Sequence, residues 1–202
     1  LTNVLPNSSK IIKATLGHEK KRGGQAYYLS NRIHSIPDIR EKLDKLVPKM
    51  KKGVIHGRLA ESEIVRVMRD FRNKKIDILI STTIIENGLD ISSVNTLIVE
   101  DSSRLGLAQA HQLRGRIGRG DEQAFAYFMY PSRGKLTPAG EKRLDALESM
   151  SYLGAGFDIA RRDFEIRGAG NILGREQSGV ANKIGWNLYF EILNEALDNE
   201  KR

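Results

Sequence analysis

Two unbroken apolar runs, Ile78-Leu79-Ile80 and Leu97-Ile98-Val99, constrain this chain more than any other feature. A strand wetted on one side alternates apolar and polar residues. A continuous run belongs to a strand covered on both faces, as in a parallel sheet sandwiched between helices. Strands are predicted at Gln25–Ser30, Gly53–His56, Ile78–Thr82, Thr96–Glu100 and Ala124–Tyr130. Helical spacing separates them. Ile36, Ile39, Leu43 and Leu46 form one stripe, with Ser35 placed as a cap and Pro37 in the first turn. Ile64, Val67, Met68 and Phe71 form a second, and Ala108–Arg116 suggests a third helix. Strand-helix alternation at this spacing predicts an α/β fold, a parallel sheet with helices on both faces.

Beyond Tyr130 the pattern changes. Pro131-Ser132-Arg133-Gly134 and Pro138 read as a loop, and Leu144, Leu147 and Met150 mark a helix broken by Gly154-Ala155-Gly156. A second helix is predicted over Phe157–Phe164, then a Gly-rich stretch, Gly168–Gly185, and a closing amphipathic helix, Trp186–Asn199.

Composition narrows the chemistry. The chain has 202 residues and no cysteine, which removes disulfides, thiolate metal sites and thiol catalysis. Its four histidines lack metal-ligand spacing. No apolar run approaches the roughly 18 residues of a membrane helix. A cytoplasmic location is expected. The net charge of +8 favours a polyanionic partner.

The sharpest motif is Gln112-Leu113-Arg114-Gly115-Arg116-Ile117-Gly118-Arg119, between the fourth and fifth predicted strands. Glycines beside arginines let a backbone approach a partner closely while the guanidinium forks reach out. Gln112 and Arg116, four apart, share a helical face. In this position the string resembles motif VI of superfamily 2 helicases. The resemblance implies that Arg116 and Arg119 are fingers on the ATP phosphates and that Gln112 senses the nucleotide. Neutralising charge on a transferring phosphoryl group is what such residues do well.

Thr82-Thr83-Ile84-Ile85-Glu86-Asn87-Gly88-Leu89-Asp90 resembles motif V of the same superfamily. By that likeness Thr82 and Thr83 offer hydroxyls and amides to a DNA phosphate, while Gly88 and Asp90 face the nucleotide. Gly23–Arg32 resembles motif IV, making Asn31 and Arg32 phosphate contacts; Tyr27 and Tyr28, inside a strand, are read as core. His56-Gly57 resembles motif IVa, with His56 either touching DNA or serving as a hydrogen-bonded structural histidine.

Asp163–Gly174 followed by Gln177-Ser178-Gly179 resembles the TRG motif of double-stranded DNA translocases. Lys142-Arg143-Leu144 and Leu153–Phe157 match its helical hairpin. RGAG, EQSG and the final IGWNLYFEILNEAL resemble the transcription-repair coupling family more than the alternative, RecG-type branched-DNA helicases. The resemblance implies a RecA-like helicase C-terminal domain followed by a TRG hairpin and loop. Residues 1–7 become a connector from a first motor domain, 8–135 the second RecA-like domain, 136–185 the hairpin and loop, and 186–202 a C-terminal helix. Arg143, Arg167 and Gln177 become coupling residues for translocation.

No GxxxxGK[ST] phosphate loop occurs in the chain, and no DE pair closes a predicted buried strand to hold a metal. ATP and Mg2+ would therefore be bound together with a first motor domain supplied from outside it, and the chain alone is expected to be inactive. The implied partners are double-stranded DNA, and RNA polymerase and UvrA through other domains. A non-catalytic nucleic-acid-binding module is the reading from a different class.

Overall fold

Residues of the central strands alternate between two separate cores. In the computed structural model, which describes residues 1–82, 94–115, 117 and 123–149, Ala26 and Tyr28 pack with Ile78, Ile80, Ile98 and Met129 on one face. Tyr27 and Leu29 pack with Leu79, Leu97, Val99 and Phe128 on the other. This is why Ile78-Leu79-Ile80 and Leu97-Ile98-Val99 are apolar without a break: every position faces a core.

The strands are β1 (Thr2–Pro6), β2 (Gln25–Ser30), β3 (Lys52–Ile55), β4 (Ile78–Thr82), β5 (Val94–Val99) and β6 (Phe125–Tyr130). They form one six-stranded sheet in the order β1-β6-β5-β2-β4-β3, with every pairing parallel. Five of the six were expected, to within two residues at each boundary. The sixth, β1, lies in the segment read as a connector; it pairs with β6 from Thr2 opposite Ala126 to Pro6 opposite Tyr130. An edge place suits Pro6, which cannot donate to a ladder.

The helices are α1 (Ser9–Lys21), α2 (Ile36–Leu46), α3 (Glu61–Arg72), α4 (Leu107–Gly115) and α5 (Pro138–Ser149). Ile12 and Leu16 of α1 and Ile36, Ile39 and Leu43 of α2 cover one face. Met68 and Phe71 of α3, Leu107 and Ala110 of α4, and Ala146 and Leu147 of α5 cover the other. Ser35 occupies the cap position of α2 but makes no side-chain capping bond, because a 3-10 turn over Ile33–Ser35 runs directly into the helix. Helix α5 corresponds to the first hairpin helix. The second hairpin helix, the Gly168–Gly185 stretch and the Trp186–Asn199 helix lie outside the described residues.

Direction changes in the middle of the sheet. From β2 the chain passes through α2 toward β3, on one side; from β5 it passes through α4 to β6, on the other. The carboxyl ends of the neighbouring strands β2 and β5 therefore form a topological switch point, where open α/β sheets leave a crevice.

Candidate functional site

That crevice holds two of the residues singled out from sequence. Asn31 and Arg32 follow β2 directly and line a cleft of about 390 Å³ with Asp38, Lys42, Glu100, Asp101 and Arg104. Each is held by local chemistry. The Ser30 hydroxyl donates to the Arg32 carbonyl at 3.0 Å and accepts from the Arg32 amide at 3.2 Å, fixing the chain as it leaves the strand. Asn31 Nδ2 donates to the Asp101 carbonyl, joining the β2 exit to the β5 exit. Asp101 Oδ1 accepts from the Ser103 amide at 3.1 Å and the Ser103 hydroxyl at 2.6 Å, opening a 3-10 turn over Ser102–Arg104. The Arg32 side chain is exposed to solvent.

The floor of the cleft was not foreseen. Glu100 Oε1 accepts from Lys42 Nζ at 3.1 Å and from Asn7 Nδ2 at 2.9 Å, and Lys42 also donates to Asn7 Oδ1 at 3.2 Å. Asn7 itself is placed by its amide, which donates to the Tyr130 carbonyl at 2.7 Å. Burial raises the Glu100 carboxyl above the usual carboxylate range; the Asn7 hydrogen bond opposes this and the nearby Asp101 charge adds to it. Burial likewise lowers the Lys42 ammonium. An acidic pair closing a buried strand, Glu100-Asp101, was the sequence signal for this cluster. Its partners come from positions 7 and 42, which no local pattern joins.

Glu100 is engaged by Lys42 and Asn7, and Asp101 by its own turn and by Arg104, whose Nε lies 3.9 Å from Oδ2, so Arg32 stands exposed at the rim beside the Arg104–Asp101 pair. One neutral amide and two guanidinium groups over a strand-end backbone suit contact with phosphate oxygens rather than readout of bases.

Other expected contacts fall differently. Thr82, the last residue of β4, is buried, and its hydroxyl has no hydrogen-bond partner among the described residues. His56 accepts at Nδ1 from the Arg58 amide at 3.3 Å, and its carbonyl accepts from the Leu59 amide, so it shapes the turn after β3. That favours the structural alternative weighed for it. Arg143, on α5, donates from Nη1 to the Ser103 carbonyl at 3.4 Å, so α5 is tied to the same turn that carries Asp101 and Arg104. Thr83, Gly88, Asp90, Arg116, Arg119, Arg167 and Gln177 lie outside the described residues.

The described part of the arginine motif sits at the opposite edge of the sheet. Helix α4 starts at the carboxyl end of β5 and runs back toward the start of β6, so Gln112, exposed, and Gly115 approach the amino edge. A second cleft, of about 370 Å³, is lined there by Leu1, Thr2, His111, Arg114, Gly115, Ile117 and Ala124. This donor set is cationic and suits phosphate oxygens. Among the described residues no carboxylate lines it.

Known proteins share this architecture and sequence. The chain is 46% identical over 201 residues to the transcription-repair-coupling factor of Staphylococcus aureus (strain USA300), covering 100% of this chain and 17% of that protein. It is 45% identical over 196 residues to that of Myxococcus xanthus, covering 97% of this chain and 16% of that one. The chain thus spans about a sixth of the length of the curated relatives it matches. The solved C-terminal domain of the DEAD-box protein Dbp5 superposes with a TM-score of 0.55 at 18% identity, covering 73% of this chain and 83% of that one. The fold is accordingly the RecA-like fold of helicase C-terminal domains. The model of the helicase conserved C-terminal domain matches residues 7–121, more than half of the chain, and the chain belongs to that family.

Proposed function

We propose that this chain is the second motor half of an ATP-driven double-stranded DNA translocase of superfamily 2, acting in transcription-repair coupling. One observation carries the reading. The helicase domain match ends at residue 121, yet likeness to transcription-repair-coupling factors continues over 97–100% of the chain, through the stretch that holds Arg167 and Gln177.

In this reading the two edges of the sheet have different tasks. At the carboxyl edge Asn31 and Arg32, with Arg104 beside them, hold the DNA backbone, with Thr83, after β4, adding a contact. Such contacts carry little sequence information and allow movement along a duplex. Arg116 and Arg119 meet the phosphates of ATP, with Gln112, Gly88 and Asp90 around the nucleotide. ATP bound with Mg2+ supplies the phosphoryl group whose hydrolysis drives motion, and the first motor domain supplies the carboxylates for the metal. This chain's own residues orient the phosphates and neutralise charge that develops on them. Duplex DNA is the track. RNA polymerase stalled at damage is the obstacle to be displaced, and UvrA is recruited through other parts of the longer protein.

Steady-state hydrolysis by the full-length protein with saturating duplex DNA tests the nucleotide half. Arg119→Ala should lower the rate by a factor on the order of 10³ or more, as loss of an arginine finger does, with DNA binding retained. Near-normal hydrolysis by that variant would contradict the assignment.

A further inference from the structure

The half of the amino edge where β2, β4 and β3 begin is strongly cationic. Three helix-to-strand turns meet there, at residues 18–24, 44–52 and 69–77. Asp77 draws them together. Its Oδ1 accepts from Lys20 Nζ at 2.7 Å, its Oδ2 from the Lys51 amide at 2.7 Å, and its carbonyl from the Ala26 amide at 2.9 Å.

Every carboxylate on these three turns already has a cation. Arg22 engages Glu19, Lys52 engages Asp44 at 2.9 Å, Lys75 engages Asp70 at 3.7 Å, and Lys20 engages Asp77. Lys21, Lys49, Lys51, Arg72 and Lys74 are left exposed, with no carboxylate partner among the described residues. The helix macrodipole favours cations in a last turn, which covers Lys21 and Arg72. It falls off beyond the helix ends, where Lys49, Lys51 and Lys74 lie.

Lys74 is also held in a conformation suited to glycine, with a φ of 56°. Its amide donates to the Phe71 carbonyl at 3.0 Å, and the Lys75 amide to the Asp70 carbonyl at 2.9 Å. That bond pair closes a helix on a left-handed residue, a place glycine usually takes because a Cβ is disfavoured there. A lysine kept at a strained position points to use of its charge.

Neighbouring strands lie about 4.8 Å apart, so the entries of β2, β4 and β3 spread these cations over roughly 10 Å. That length of duplex carries about six phosphate charges. The one Phe, Tyr or Trp on the three turns, Phe71, is buried, and the exposed large apolar side chains, Leu1 and Val65, lie elsewhere. Such a surface suits the backbone of a duplex better than stacking on single strands or insertion into a membrane surface.

We propose that this half of the amino edge is a second binding surface for duplex DNA, held by its phosphates through Lys49, Lys51 and Lys74. It stands a strand's length, roughly 17–20 Å, from the cleft at the carboxyl edge. This rests on the reading that duplex DNA is the protein's track.

Chemical acetylation of lysines in the full-length protein, read by mass spectrometry, tests the surface directly. Lys49, Lys51 and Lys74 should react in the free protein and be protected several-fold by a duplex of arbitrary sequence, in the parent and in Arg32→Ala alike. The triple variant Lys49→Gln, Lys51→Gln, Lys74→Gln should bind duplex more weakly. Its slope of log affinity against log salt should drop by about two to three, since each phosphate contact contributes about 0.9. Its DNA-stimulated kcat at saturating duplex should stay within about twofold of the parent's. Lys74→Gly should lower the slope by about one while melting at the parent's temperature or above, because glycine relaxes the turn. A fall in melting temperature together with affinity would mark a structural role and overturn the assignment of Lys74. Lysines unreactive before DNA is added would mean that another part of the protein covers the edge, and the proposal fails. It fails too if duplex gives no protection, if the slope does not change, or if only phosphatidylglycerol vesicles protect the lysines. In each of these cases weakened binding by Arg32→Ala leaves the motor reading standing. If Arg32→Ala binds like the parent while the triple variant does not, this edge holds duplex and the cleft assignment falls.

Discussion

Single residues acquire their roles here mainly through the strand ends they occupy. Asn31 and Arg32 were legible because a polar pair directly after a buried strand lies at the carboxyl edge of the sheet. Glu100 was not, because Asn7 and Lys42, which hold it, are brought to it only by strand order. Its state has a measurable consequence. A carboxyl whose folded-state pKa lies above its unfolded value binds protons on folding. Its contribution to stability is complete below the unfolded pKa and is lost as pH rises through the folded one. Burial raises Glu100 in this sense, outweighing the Asn7 hydrogen bond. The half-buried ion pair with Lys42 returns little, since such pairs are worth about 0–1 kcal/mol. Glu100→Gln should therefore gain melting temperature relative to the parent as pH rises from about 4 to about 7. Thermal unfolding at several pH values checks this, and a relative loss over the same range would contradict it.

Whole elements were legible in proportion to how completely they are buried. Every residue of β2, β4 and β5 is buried, and each of these strands was found. Strand β1 and helix α1 were missed. Strand β1 has one neighbour and no buried residue, so it carries no strong core signal. Helix α1 buries Ile12, Thr15, Leu16 and Glu19, so half of its inner face is polar and the apolar stripe that marks a helix is broken. The missed helix also contains a test of its own packing. A methyl group added at Gly24 would run into the buried Glu19 carboxylate, whereas one added at Gly17, inside α1, meets nothing within 4 Å. Gly24→Ala should destabilise by about 1–3 kcal/mol, as overpacking does. Gly17→Ala should stabilise by up to about 1 kcal/mol, by removing a mid-helix glycine. Denaturant titration of both variants decides the matter, and equal effects would mean that the Glu19 site is not tightly packed.

At the scale of the molecule, the sheet separates two edges, with the strand-end cleft at one and the described part of the arginine motif approaching the other. Sequence motifs singled out candidate residues but not this separation, which depends on α4 running back across the sheet. The link from α5 to the carboxyl edge, Arg143 on the Ser103 carbonyl, was equally out of reach, since no local pattern joins positions 103 and 143. With a net charge of +8, the proposed phosphate contacts predict duplex binding that is indifferent to base sequence. Its affinity should fall steeply with salt as counterions are released, and Arg32→Ala should weaken binding uniformly and reduce the salt slope by about one. Titrations of unrelated duplexes at several salt concentrations read both effects; a strong preference for one sequence would contradict phosphate tracking. A translocase is defined by turning hydrolysis into movement along DNA. In the full-length protein, Arg167→Ala and Gln177→Ala should leave DNA-stimulated ATP hydrolysis largely in place and abolish displacement of a triplex strand or a stalled RNA polymerase. Displacement that survives both substitutions would contradict the translocase assignment.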